Sequence, residues 1–206
     1  MATKARIAVN FLHVLPGKVG GSEEYCVETL RAFAESRTKE IEPVIHASEA
    51  FFNQYPDLSE SFETEIYRFD GSNKLKRILT ESFAFRRRAN VAEGVHHFGG
   101  HLPLFSPRPA AVTMHDLQPL DRPENFSFLK RQYFRIVIPS SIKNADLVVT
   151  VSDDVAEQIS KQFEISVKRL KTVSIGVKRI KKEPTELKNP PMILYPASTY
   201  PHKNHV

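Results

Sequence analysis

Three short stretches of this chain place ligand-binding or reactive side chains where a strand or loop must turn. Gly20 and Gly21 stand in GKVGGSEEY, a glycine pair running into Ser22, Glu23 and Glu24. A glycine loop that ends at a helix amino terminus offers unpaired N–H groups and the positive end of the helix dipole, which suit a phosphate or carboxylate. An ordinary turn uses the same residues, and the spacing is not the G-x-G-x-x-G of dinucleotide enzymes, which disfavours an NAD-dependent dehydrogenase. His115 and Asp116, in AVTMHDLQPL, follow an apolar run. A histidine there can donate a hydrogen bond, orient a hydroxyl or exchange a proton near neutral pH. Asp116 either fixes the histidine tautomer or caps the next segment, and a loop pair satisfied by neighbouring backbone is equally compatible with the residues.

The third stretch is GVHHFGGHLP, with His96, His97 and His101. Neighbouring residues of a strand point to opposite faces, so these rings do not converge on a metal, and no cysteine or Glu-x-x-His pattern supports one. One ring is expected to face a cleft, and His97 is the candidate. Arg86, Arg87 and Arg88 close a helical stretch, where cations complement the negative dipole end; contact with an acidic lipid surface is the functional alternative. Basic and aromatic residues do not interleave as in a nucleic-acid platform, so nucleic acid is set aside. G-x-S-x-G and Walker A sequences are absent, which removes the common hydrolase and P-loop readings.

These residues need a frame that brings them to one edge. Residues 6–12 (RIAVNFL) read as a buried strand broken by Pro16 and Gly17, followed by the glycine loop and a helix capped by Ser22 with Cys26, Leu30 and Phe33 on one face. Further strands are expected at 42–46, 64–69, 94–98, 111–115, 147–151 and 171–175. Helical stretches fall between them, the clearest at 153–163, where Val155, Ile159 and Phe163 recur every fourth residue behind Ser152 as cap and possible cleft residue. Such alternation predicts an α/β fold, a mostly parallel Rossmann-like sheet with helices on both faces, and ligands outside the carboxyl ends of its strands.

The 206 residues hold one full core and a remnant: a first domain over 1–177, a lysine- and proline-rich linker over 178–191 (KRIKKEPTELKNPP), and the start of a second domain over 192–206. Hydrophobic residues at 41% and charged residues at 26% are ordinary for a globular chain, which excludes disordered and fibrous classes. Apolar runs are too short for a membrane span, no signal peptide is read, and the single Cys26 forms no intrachain disulfide, so the expected setting is the cytoplasm. The net charge of +5 favours anionic partners without choosing among them.

In this order the motifs resemble glycosyltransferase family 4, retaining enzymes of the GT-B fold. The similarity rests on RIAVNFLHVLPGKVGGSEEY, AVTMHDLQPL, ADLVVTVSDDVAEQI, KTVSIGV and ILYPASTYPHKNHV, with no recognisable motif between residues 47 and 90. The resemblance implies two Rossmann-like domains across a cleft, the first binding a sugar, lipid-linked or small-molecule acceptor and the second a GDP- or UDP-sugar. It implies further that Gly20 and Gly21 lie against the donor diphosphate or reacting sugar, that His115 bonds the donor sugar, and that Lys203 neutralises the diphosphate. No metal or other cofactor is expected, and no protein nucleophile, because same-face attack in the family is ascribed to assistance by the departing phosphate. The sequence departs from the family at Ala197, Ser198 and His202, where a Gly-Arg pair and an arginine are common. The family's E-x7-E pair and base pocket are expected beyond Val206, so the 206 residues alone are expected to be poor catalysts. A hexosyl- or mannosyl-type transferase is the leading function. The alternative is a non-catalytic binding module completed by a separate donor-binding chain, and a weaker third is an unrelated nucleotide- or sugar-phosphate-binding Rossmann protein.

Overall fold

The computed structural model describes residues 4–18, 20–36, 38, 40–69 and 73–176. Lys203, the linker at 178–191 and the stretch 192–206 lie outside the described residues. Seven strands form a single all-parallel sheet in the order β3-β2-β1-β4-β5-β6-β7. They are β1 (Ala5–Asn10), β2 (Ile41–Ser48), β3 (Glu63–Tyr67), β4 (Gly94–His97), β5 (Ala110–Met114), β6 (Leu147–Thr150) and β7 (Leu170–Thr172). The seven strands expected between residues 6 and 175 are present, and the one expected at the start of 192–206 lies outside the described residues. The fold is α/β and Rossmann-like.

Parallel neighbours need crossovers, and right-handed ones direct the helices to opposite faces as the chain moves away from β1 in its two directions. Successive residues of β1 show the result. Val9 belongs to a core with Tyr25, Cys26 and Leu30 of α1 (Gly21–Ser36), Phe51 and Phe52 of α2 (Glu49–Gln54), and Leu58 of α3 (Pro56–Ser61). Ala8 belongs to a second core, with Phe85 and Ala89, Ile138 and Ile142 of α7 (Phe128–Asn144), and Val155 and Ile159 of α8 (Asp153–Phe163). Burial pushes the Cys26 thiol well above its ordinary range, leaving it an unreactive packing group.

Two local features depart from the sequence expectation. Helix α1 begins at Gly21, so Ser22 sits inside the first turn, and the carbonyl of Gly20 takes the N–H groups of Glu23 (2.9 Å) and Glu24 (3.3 Å). The helix before β4 is not uniform: α4 (Lys74–Leu79) widens into a π turn over Thr80–Phe85 and resumes as α5 (Arg86–Ala89). Of its arginines, Arg88 bonds Glu65 at 3.0 Å and lies 4.5 Å over the Tyr67 ring, and Arg86 lies 5.7 Å over the Phe105 ring.

Candidate functional site

The strand order reverses between β1 and β4. The chain leaves β1 for β2 on one side and returns beside β1 as β4, so the loops after these strands diverge and open a crevice at their carboxyl ends. The loop after β1 carries Gly20 and Gly21, the loop after β4 carries Gly99 and His101, and β5 ends beside them at His115.

Gly20 adopts φ +68, a left-handed conformation that an L side chain resists, whereas Gly21 has no positive φ and opens α1. Nothing lies within 4 Å of where a Cβ would stand on either residue, so the space over this loop is open to a ligand. What holds the loop is Glu23, in the first turn of α1. Its buried carboxylate accepts the N–H of Gly17 at 3.1 and 3.0 Å and the Tyr55 hydroxyl at 2.7 Å. An acid in the first turn that reaches back before the helix is the usual signal for such a clasp. Across the crevice, Gly99 allows the His13 ring to settle on the β4 loop: a Cβ there would stand 3.0 Å from the ring.

His115 is part-buried at the end of β5. Its Nε2–H donates to the Phe98 carbonyl at 3.0 Å, and the Tyr25 ring meets it edge-on at 5.3 Å. The Phe98 carbonyl, not Asp116, therefore fixes the tautomer, and Nδ1 is left as an acceptor. Burial lowers the pKa of His115 below its ordinary 6.5, partly offset by the Phe98 carbonyl and Asp116, so the ring is neutral at physiological pH. Asp116 is exposed and caps the turn into α6 (Gln118–Asp121), accepting the Gln118 N–H at 3.0 Å. Ser152 caps α8, accepting the Val155 N–H at 3.3 Å.

His97 does not face the crevice. It is 1% exposed, and both its nitrogens are used. Asn10 accepts the Leu12 N–H on Oδ1 (3.0 Å) and so donates from Nδ2 to His97 Nδ1 (2.9 Å); His97 Nε2–H in turn donates to Ser106 Oγ (2.8 Å), which donates to the Pro107 carbonyl (3.0 Å). This chain rivets the ends of β1 and β4 to the following loop. His96, on the other face, bonds Thr113 at 2.8 Å. Among the described residues no group of three or more His, Cys, Asp or Glu side chains is placed to hold a metal ion, and no helix is long and apolar enough to cross a membrane.

The crevice thus joins a glycine loop at a helix amino terminus to a neutral, oriented histidine, with α1 contributing both the loop's helix and the Tyr25 ring against His115. Such an edge can seat a phosphorylated ligand and hold a hydroxyl beside it.

A sequence model of Glycosyltransferase Family 4 matches residues 19–179. The O-antigen chain mannosyltransferase RfbU of Salmonella typhimurium is 29% identical over 106 residues, 50% of this chain and 28% of that protein. A structure of Anabaena Alr3699/HepE, in complex with UDP and glucose, superposes with a TM-score of 0.51 at 15% identity over 85% of this chain and 45% of that one. A glycosyltransferase from Rickettsia africae gives 0.48 at 14% identity over 85% and 44%. The chain therefore spans less than half the length of each of these proteins.

Proposed function

Because the chain belongs to glycosyltransferase family 4, we propose that it supplies the acceptor-side half of a transferase that moves a sugar from a nucleotide-sugar donor to a glycan, lipid-linked or small-molecule acceptor. The observation that carries this reading is the meeting of Gly20, Gly21 and the start of α1 with His115 at the β1–β4 crevice, tied through Tyr25. In the reaction, the bond from the sugar's anomeric carbon to the diphosphate breaks and a bond from the same carbon to the acceptor oxygen forms. The acceptor proton leaves with the diphosphate, and attack on the departing face retains the configuration. Charge gathers on the leaving diphosphate, and a preorganised positive environment lowers the barrier. The amino terminus of α1 supplies part of it and Lys203 the rest, with no metal assigned a step. His115 orients the donor sugar by accepting a hydroxyl at Nδ1. A hexose, mannose in particular, is the transferred sugar favoured by the similarity to RfbU, and UDP or GDP is the carrier assigned to it here.

The test is the native gene product carrying this sequence, assayed with a panel of UDP- and GDP-hexoses and glycan acceptors, the anomeric configuration of the product being read by NMR. Retentive transfer that falls about 100-fold in His115→Ala, in a variant whose melting curve shows it still folded at the assay temperature, is expected. Tight nucleotide-sugar binding without transfer from any donor to any acceptor overturns the reading in favour of a binding module.

A further inference from the structure

Between the π turn, the loop after β4 and α7 lies a cavity of about 550 Å³. Its walls include Glu81 and Ser82 from the π turn, His101 from the loop, and Tyr133 from α7, with Leu104 and Ile136, 76% and 73% exposed, also lining it. Glu81 is 4% exposed and lines the cavity, with Arg77 of the preceding turn as the charge that acts on it. Ser82 Oγ beside it is fully enclosed and, among the described residues, has no hydrogen-bond partner. A buried hydroxyl without a partner is costly, and Glu81 and Ser82 meet the cavity together. They stand on a π turn, an irregularity found mostly where a helix serves a site. An unpartnered hydroxyl and a buried carboxylate beside an open cavity are groups that a polar ligand would engage.

The ligand's chemistry follows from the walls. Glu81 needs hydroxyl donors and repels a phosphate. A permanent cation is poorly matched, since burial lifts Glu81 to about 7, close to half protonated at neutral pH, and Arg77 already acts on it from the preceding turn. The Tyr133 and His101 rings, edge to face at 5.8 Å, add a flat, weakly polar wall suited to the C–H face of a saturated ring. Hydroxyls on one side and C–H on the other describe a sugar.

We propose that this cavity binds a neutral glycosyl unit, held by its hydroxyls on Glu81 and Ser82 and packed against Tyr133 and His101. That the unit belongs to the acceptor rests on the transferase reading; the binding itself does not. The experiment titrates the chain, without any nucleotide, with methyl α-mannopyranoside, methyl β-galactopyranoside, octyl β-glucopyranoside and octylammonium, following the Ile136 and Val137 methyl resonances. Saturable shifts with at least one glycoside are expected. The affinity should fall about tenfold or more in Glu81→Gln, and be lost in Ser140→Trp, whose indole enters the cavity from an exposed helix position without disturbing the melting curve. Tighter binding of the octyl glycoside identifies a lipid-carried sugar, and equal binding a free glycan; both support the site. No glycoside response, a response that survives both substitutions, or a preference for octylammonium overturns it. Because no donor is present, loss of this site and failure of the transfer reading register separately.

Discussion

His115 donates its Nε2–H to the Phe98 carbonyl at 3.0 Å, so the end of β5 is tied to the end of β4 by the ring that faces the ligand crevice. In the proposed transfer the working atom is then Nδ1, an acceptor only while the ring is neutral. His115→Asn, which can place an oxygen near the Nδ1 position, is expected to keep more transfer activity than His115→Ala or His115→Phe. Burial lowers the His115 constant below its ordinary 6.5, so the neutral form persists into mildly acid solution and the acid limb of the rate profile falls below pH 6.5. An acid limb centred above 6.5 contradicts this assignment.

The two loop glycines separate fold from function. Gly20 is needed for its φ of +68, and Gly20→Ala should cost about 1–2 kcal/mol of stability. Gly21 begins a helix in open space, and Gly21→Ala should leave stability unchanged or raise it by up to about 1 kcal/mol. If a donor diphosphate lies against this loop, the same methyl group must weaken donor binding. Chemical denaturation and donor KM, measured on both variants, give the comparison; a Gly21→Ala enzyme with wild-type KM removes the loop from the donor site.

Glu23 is the clasp on that loop, and its removal leaves the Gly17 N–H and the Tyr55 hydroxyl without their acceptor. Glu23→Ala is expected to cost about 1–3 kcal/mol, and Tyr55→Phe, which removes one neutral donor to a charged acceptor, about 1.5 kcal/mol. A double-mutant cycle on the pair should show strong coupling, because either substitution alone already breaks the Glu23–Tyr55 bond. Additive losses would mean that the two residues stabilise the loop independently.

The sheet was readable because each strand is a short apolar run separated by an amphipathic stretch, and parallel strands buried on both faces leave that mark; α8 with its Ser152 cap emerged with its observed bounds. The crevice was readable to the level of Gly20, Gly21 and His115, since strand ends and glycine turns are local signals. Its wiring was not. His97 and Asn10 are 87 positions apart, and nothing in HHFGG tells which of two adjacent rings turns inward to meet a strand that pairs only in three dimensions. Residues 47–90 gave no motif, and they hold the π turn: TESFAF has an ordinary helical composition, so the widened turn that brings Glu81 and Ser82 to a cavity comes from packing against the β4 loop and α7 rather than from propensity. Ser22 misled for a related reason, as the Gly20 carbonyl took the place of the expected hydroxyl cap.

Buried neutral histidines make the fold acid-sensitive. His46 is 2% exposed, bonds the Tyr67 hydroxyl at 2.9 Å, and is lowered from 6.5 to about 4, first by burial and then by Arg88. His97 is lowered well below 6.5, first by burial and then by the neighbouring histidines. For a histidine whose folded constant is depressed, the unfolded chain binds the proton more readily, so the stability is complete above pH 6.5 and is lost as the pH falls from there towards 4. At pH 5 His46 alone should remove about 2 kcal/mol, and His97 acts in the same direction. Urea denaturation at pH 7.5 and pH 5 should therefore show a marked drop in midpoint for the parent chain and a smaller drop for His46→Gln, which keeps a polar partner for Tyr67 but has no proton to take up. Equal drops in the two proteins would mean that His46 is not protonated on unfolding in this range.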